Sequence, residues 1–246
     1  MGPSSAVDKA TEHNRSINLW RNARFQDRSE AGRLLAERLG YLRDLKPLVL
    51  GLPRGGVPVA AEIAIELKAP LDILLVRKLG APFQPELAMG AIGEDGIRVL
   101  DDAMVGRLRI SQRRLHAVEV RERQRIEEAS ERFRPYRPGG LSWQGRAAIV
   151  TDDGIATGST VIAACQVARE RQVGHLVVAA PVATQGAVAR LEEVADEVVV
   201  VSTPEEFMSI SQFYVDFAQV TDDEVARLLQ TVNKSHEPLQ GGDPLG

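Results

Sequence analysis

A chain of 246 residues has room for one large α/β-sized domain, or for a domain with a sizeable appendage. With 44% hydrophobic and 26% charged residues it is not a mostly disordered polymer, and a net charge of −4 argues against a general polyanion or nucleic-acid binder while leaving room for local basic loops. The lone cysteine, Cys165, excludes an internal disulfide and fits a reducing compartment; no Cys/His cluster has zinc spacing, and the longest apolar stretches fall far short of the roughly 20 residues that span a bilayer.

Residues 1–24 lack the apolar core of a signal peptide and read as a flexible arm, with a single domain over residues 25–246. Ala31, Leu34, Leu35, Leu39 and Leu42 recur at helical spacing, predicting an amphipathic helix over 28–43. A short apolar run at 48–52 then meets Pro53, Arg54, Gly55 and Gly56 before a helical pattern over 57–67, which is strand, Gly-rich turn, helix. Strand-like runs follow at 71–76, 147–150, 176–180 and 198–201, with helical patterns over 160–171 and 184–194 in the later connections. Such alternation predicts an α/β fold, an open and mainly parallel five-stranded sheet covered on both faces, with right-handed crossovers.

Between the second and third strands lies an insertion, 79–145, far longer than an ordinary crossover. Its first part, 88–100, alternates weakly around Gly90, Gly93 and Gly96 and predicts a small hairpin or a mobile loop. Its second part, 111–134, is a highly charged helix carrying Glu119/Arg123 and Glu128/Arg132 as i,i+4 pairs, ended by Pro135, Pro138, Gly139 and Gly140. After the last strand, 203–232 holds the aromatics Phe207, Phe213, Tyr214 and Phe217 and a closing helix whose Thr-Asp-Asp-Glu opening at Thr221 matches a capping box. The aromatics either cover the sheet edge or stack on a base.

The most informative segment is AAIVTDDGIATGST, 147–160, where a buried strand ends in two adjacent carboxylates and passes through a Gly- and Thr-rich loop into a helix. Backbone amides of such a loop, with the hydroxyls of Thr157, Ser159 and Thr160, can surround a phosphate at the positive end of the helix. Adjacent carboxylates at the strand tip suit sugar hydroxyls or a hydrated Mg²⁺. A Gly-rich turn alone serves backbone geometry just as often; the whole string is what points to a ligand.

That string resembles the fingerprint of the type I phosphoribosyltransferases: a hydrophobic strand, two acidic residues and a short loop ending in Thr-Gly-x-Thr. The resemblance extends to LVLGLPRGG at 48–56, to LVRKLGAPFQPELAMGAIGEDG, to the Phe25-Gln26-Asp27-Arg28 opening and to the SISQFYVDFAQVTDDEV tail. The wider likeness is to a bacterial subfamily of stand-alone phosphoribosyltransferases. It implies the type I fold with strand order 2-1-3-4-5 and a ligand cleft at the switch point between the first and third strands.

The same resemblance implies roles. Asp152 and Asp153 would hold the ribose 2- and 3-hydroxyls of phosphoribosyl pyrophosphate (PRPP) and, through ribose or water, Mg²⁺. Gly154, Ile155, Ala156, Thr157, Gly158, Ser159 and Thr160 would cradle its 5-phosphate. Arg54, Gly55, Gly56, Arg77 and Lys78 would meet the pyrophosphate, with Arg54 and Lys78 counted beside the two aspartates as catalytic. Phe207, Phe213 and Tyr214, in a hood formed over 203–232, would touch the acceptor. The implied reaction is Mg²⁺-dependent transfer of the 5-phosphoribosyl group to a nitrogen acceptor such as a nucleobase, with release of pyrophosphate. A cytoplasmic homodimer is what the family suggests.

One departure narrows the acceptor. Where 6-oxopurine enzymes carry an Asp before the Thr-Gly, this chain has Ala156, closer to the adenine and uracil versions. The rival reading is a PRPP- or nucleotide-sensing protein that keeps the loops without turnover. No helix-turn-helix appendage is evident, and neither G-x-G-x-x-G, G-x-x-x-x-G-K-[ST] nor G-x-S-x-G occurs, against a dehydrogenase, a P-loop nucleotidase and an α/β-hydrolase. The four histidines, His13, His116, His175 and His236, are too scattered for a histidine centre.

Overall fold

A computed structural model of the chain describes residues 24–234. The expected N-terminal arm therefore lies, but for Arg24, outside the described residues. Helix α1 (Arg28–Leu39) is capped by Asp27, whose carboxylate accepts from the Glu30 amide, and buries Ala31, Leu35, Ala36 and Leu39. Strand β1 (Leu48–Gly51), helix α2 (Gly56–Leu67) and strand β2 (Leu71–Ile73) complete the first βαβ unit. Later come β6 (Ala147–Thr151), α5 (Ser159–Glu170), β7 (His175–Val182), α6 (Gln185–Leu191), β8 (Glu197–Ser202) and α7 (Asp222–Lys234).

The main sheet has five strands in the order β2-β1-β6-β7-β8, every pairing parallel, as the sequence predicts. Its alternation assigns each residue to a face. Val49, Ile149 and Val177 point into one apolar cluster, with α1, α2 and α7, whereas Leu48, Leu50, Ala148, Val150 and Val178 point into the other, with α5 and α6. Both faces are covered, which is why these strands read as continuous apolar runs.

The insertion differs from expectation. The second strand stops at Ile73, and residues predicted to extend it to 76 instead leave the sheet. A separate three-stranded antiparallel sheet follows, made of β3 (Val76–Ala81), β4 (Gln84–Gly93) and β5 (Arg98–Leu100) in that order. The register slips between Leu79 and Ala81, so period-2 burial is broken there and local patterning hides the strand. This small sheet packs on α5: a Cβ at Gly93 would stand 2.6 Å from Val167 Cγ1, so that glycine is a point of close approach and not a hinge. A short helix α3 (Asp102–Arg107), which the sequence reading did not separate, precedes the predicted charged helix, α4 (Gln112–Phe133). Ser111 caps α4 through the Arg114 amide.

The expected i,i+4 pairs of α4 are replaced by tertiary ones. Glu119 accepts from Arg98 Nε at 2.5 Å, and Arg132 Nη1 reaches Asp222 Oδ2 at 2.5 Å. Behind α4, Arg137 ties insertion to sheet: Nε and Nη2 bond Asp72 on β2 at 2.6 and 3.0 Å, and Nη1 bonds both Glu94 oxygens at 2.6 and 2.7 Å. Burial pushes the Asp72 carboxyl up despite Arg137's hydrogen bonds. With the Asp72 and Glu94 side chains 5% and 9% exposed, Arg137→Ala leaves two buried carboxylates uncompensated. It should cost about 3–5 kcal/mol of stability. Urea unfolding at neutral pH measures this, and the deficit should shrink as acid protonates Asp72, whose carboxyl burial already pushes up.

Candidate functional site

Strands β1 and β6 are neighbours, with Gly51 opposite Thr151, so the turn after β1 and the acidic tip after β6 share one end of the sheet. The Pro53–Arg54 peptide is cis. The turn lies directly on the acidic tip. A Cβ at Gly55 would fall 2.2 Å from Asp153 Oδ2, and one at Gly56 would fall 2.6 Å from the Thr151 carbonyl oxygen and 2.8 Å from Asp152 Cα. Only glycine permits that contact, which explains the Gly55-Gly56 pair.

Asp152 Oδ1 accepts from the Asp153 amide at 2.9 Å. Asp153 Oδ2 is held by Arg28 Nε at 2.8 Å, both side chains about nine-tenths buried (11% and 10% exposed). Arg28 in turn donates from Nη1 to the Ala218 carbonyl at 2.8 Å and lies 3.9 Å over the Phe217 ring centroid. Tyr214, buried and 5.4 Å from the Phe25 ring, donates its hydroxyl to the Asp153 carbonyl at 2.5 Å. The opening of the chain and its tail thus close on the acid pair, joined by backbone bonds from Phe25 to Phe213 and from Val215 to Phe25.

Burial, reinforced by the neighbouring Asp153 charge, pushes the Asp152 carboxyl up to about 8. Burial raises Asp153 as well, against the pull of Arg28. Two adjacent carboxylates withdrawn from water hold a proton at neutral pH until a cation or hydroxyl donors arrive. Their hard oxygens fit Mg²⁺, which needs few protein ligands and completes its shell from water and substrate oxygens. Among the described residues no cluster of three or more His, Cys, Asp or Glu could hold a metal by itself.

The loop after Asp153 is fastened from β7 and α6. The Ile155 amide donates to Val182 at 2.8 Å, Thr184 Oγ1 donates to the Ala156 carbonyl at 2.7 Å, and Arg190 Nη1 donates to the Thr157 carbonyl at 2.8 Å. That corrects one expected cradle member: Ile155 is buried and its amide is already spent. Ala156, Thr157 and Thr160 are exposed, and Gly158, with φ 76°, turns the chain into α5, whose first amides have no intrahelical acceptor.

Three basic residues surround this end. Arg54 Nη1 lies 3.7 Å from Asp222 Oδ1 at the start of α7, where Arg132 also arrives. Arg77 and Lys78 do not directly follow the second strand; they sit inside β3. Even so, Arg77 shares a cavity of about 80 Å³ with Pro53 and Thr160, which joins the turn after β1, β3 and the start of α5. Phe207 and Phe213 are half-buried and pair at 5.1 Å between centroids, while Tyr214 serves the strand tip and presents no free face. Arg28 belongs to the Phe25-Gln26-Asp27-Arg28 string, where no local pattern marks it as a site residue. Its carboxylate partner lies 125 residues away, and nothing local encodes that pairing.

An open parallel sheet with a fastened Gly-Thr loop, an acid pair and a basic turn meeting at its switch point defines an α/β protein whose candidate site lies at the carboxyl end of the sheet. The phosphoribosyl transferase domain profile matches residues 26–218, and the chain belongs to that family. Two Mycobacterium tuberculosis proteins, each named "Putative phosphoribosyl transferase", are 50% identical over 210 residues, 85% of this chain and 47% of theirs. The chain thus spans about half the length of the curated relatives it matches. The crystal structure of TT1426 from Thermus thermophilus superposes with a TM-score of 0.77 at 43% identity, covering 85% of this chain and 98% of that one.

Proposed function

We propose that the protein transfers the 5-phosphoribosyl group of PRPP to a nitrogen acceptor with release of pyrophosphate. The observation that carries this is the contact of the Gly55-Gly56 turn with the Asp152-Asp153 tip, which sets groups for ribose and for pyrophosphate side by side. The bond between ribose C1 and the pyrophosphate oxygen breaks, a bond from C1 to the acceptor nitrogen forms, and the acceptor's N–H proton is lost to solvent.

Catalysis here is positioning and electrostatics. Asp152 and Asp153 take the ribose hydroxyls, with Arg28 and Tyr214 holding Asp153 in place. The amides from Ala156 to Thr160, with the hydroxyls of Thr157, Ser159 and Thr160, take the 5-phosphate. Arg54, the Gly55 and Gly56 amides, Arg77 and Lys78 take the departing pyrophosphate. Mg²⁺, when bound beside Asp152 and Asp153, supplies positive charge against that pyrophosphate. The half-buried Phe207 and Phe213 offer the acceptor an apolar wall, and Ala156 favours an acceptor that needs no carboxylate at that point.

The test is pyrophosphate release from PRPP and Mg²⁺ across purine, pyrimidine and other nitrogen acceptors. Release with one acceptor, together with its phosphoribosylated product, is expected. PRPP binding with no release under any acceptor would favour the sensor reading, and no PRPP binding would end both.

A further inference from the structure

A cleft of the insertion runs from Arg77, Lys78 and Thr160 to residues of α4 that have no role above. It measures about 550 Å³, within the range of small-molecule sites, and opens between β3 and α4. From β3 come Arg77 and Lys78, and from α4 come Arg114, Arg121 and Arg125; Glu122 is the one carboxylate that lines the cleft among the described residues. The α4 contributors share one stripe, since each step 114–118, 118–121, 118–122, 121–125 and 122–125 is three or four residues.

Glu122 organises the cations more than it neutralises them. Its side chain is 8% exposed, and it accepts from Arg121 Nε at 2.9 Å and from Arg125 Nη1 at 3.0 and 3.1 Å. One buried carboxylate therefore holds two exposed guanidinium forks at the cleft wall, opposite the β3 cations. Two guanidinium groups share that carboxylate while Arg77, Lys78 and Arg114 also line the cleft, so cations outnumber the carboxylate there and an anion of high charge would offset their mutual repulsion. Among the described residues no aromatic ring lines the cleft, so the recognition it offers is for a charged chain and not for a base. Thr160, Val76 and Arg77 also line the small cavity beside Pro53, which makes the cleft continuous with the candidate site.

We propose that the β3–α4 cleft is a second anion site that takes a linear chain of three or more phosphates next to the PRPP residues. The site does not depend on catalysis. Calorimetry with tripolyphosphate and, in parallel, with ATP tests it on the full chain: equal affinities identify a free phosphate chain as the occupant, and tighter ATP identifies a nucleotide. Arg114→Gln with Arg121→Gln keeps side-chain length and helix propensity, and should weaken tripolyphosphate binding about tenfold or more while PRPP affinity stays unchanged. Arg54→Ala should do the reverse. If both variants weaken both ligands alike, the cleft is merely part of one pyrophosphate subsite and the proposal falls. It falls equally if tripolyphosphate does not bind, or binds the double variant as well as the wild type. Should the double variant unfold by circular dichroism, Arg114→Gln alone, at an exposed position, is read the same way with a smaller shift. Tripolyphosphate binding without PRPP binding would overturn the proposed function and leave this site standing.

Discussion

Replacing Asp152 and Asp153 together by Asn is expected to lower pyrophosphate release by about a thousandfold or more, with the fold retained. Both carboxylates are lost from the strand tip proposed to orient the ribose. Undiminished turnover would remove the pair from the site. The single change Asp152→Asn carries a second expectation, read in metal-free protein. An unfolded aspartate ionises near its ordinary 3.8, whereas Asp152 in the fold holds its proton up to about 8. Between those values folding must take up a proton, so wild-type stability falls as pH rises through that window and levels off above it. Asparagine does not titrate. Asp152→Asn should therefore melt higher than wild type at about pH 8 and match it near pH 4, a gain in stability that accompanies a loss of activity. Equal melting at both pH values would show that the carboxyl is not held protonated.

The second large effect belongs to the glycine turn. At Gly56 the atoms a Cβ would strike are backbone, the Thr151 oxygen and Asp152 Cα, so Gly56→Ala must push β6 away from β1. A loss of about 1–3 kcal/mol in urea unfolding is expected, together with weaker PRPP binding. At Gly55 the obstacle is the Asp153 carboxylate, which can turn aside only by leaving Arg28. Gly55→Ala should cost less stability while still weakening PRPP binding. Gly186→Ala, at a helical position with nothing within 4 Å, is the control and should be neutral or stabilising. Should Gly56→Ala prove as harmless as the control, the close approach of turn and strand tip would be wrong.

Much of the site was legible because its parts are local. Each apolar run that ends in a charged or Gly-rich string announces a strand and the loop at its carboxyl end, and the loop needs its amides, hydroxyls and glycines contiguous in sequence. The partners of those parts were not legible. Arg28 sits on a helix face with no signal that its guanidinium closes on Asp153. Tyr214, one of four clustered aromatics, presents as a stacking ring until its hydroxyl is found on the Asp153 carbonyl. Ile155 sits in the middle of the loop motif, yet its amide is committed to β7.

By itself, then, the amino-acid sequence determined the five parallel strands and the two loops that meet at the switch point, while their order 2-1-3-4-5 was what the family resemblance implied. Hydrophobic runs and turn residues are read over a few positions, and right-handed crossovers leave few ways to assemble them. The hairpin expected over 88–100 is present as β4 and β5, but only the tertiary structure decided that β3 joins them in a separate antiparallel sheet. It also decided which charges of α4 find Arg98 and Asp222 in place of each other, and the convergence of α4 with β3 into a basic cleft. Those outcomes depend on which distant surfaces come into contact, and the energies that choose among them are packing and desolvation across the fold, to which local periodicity is blind.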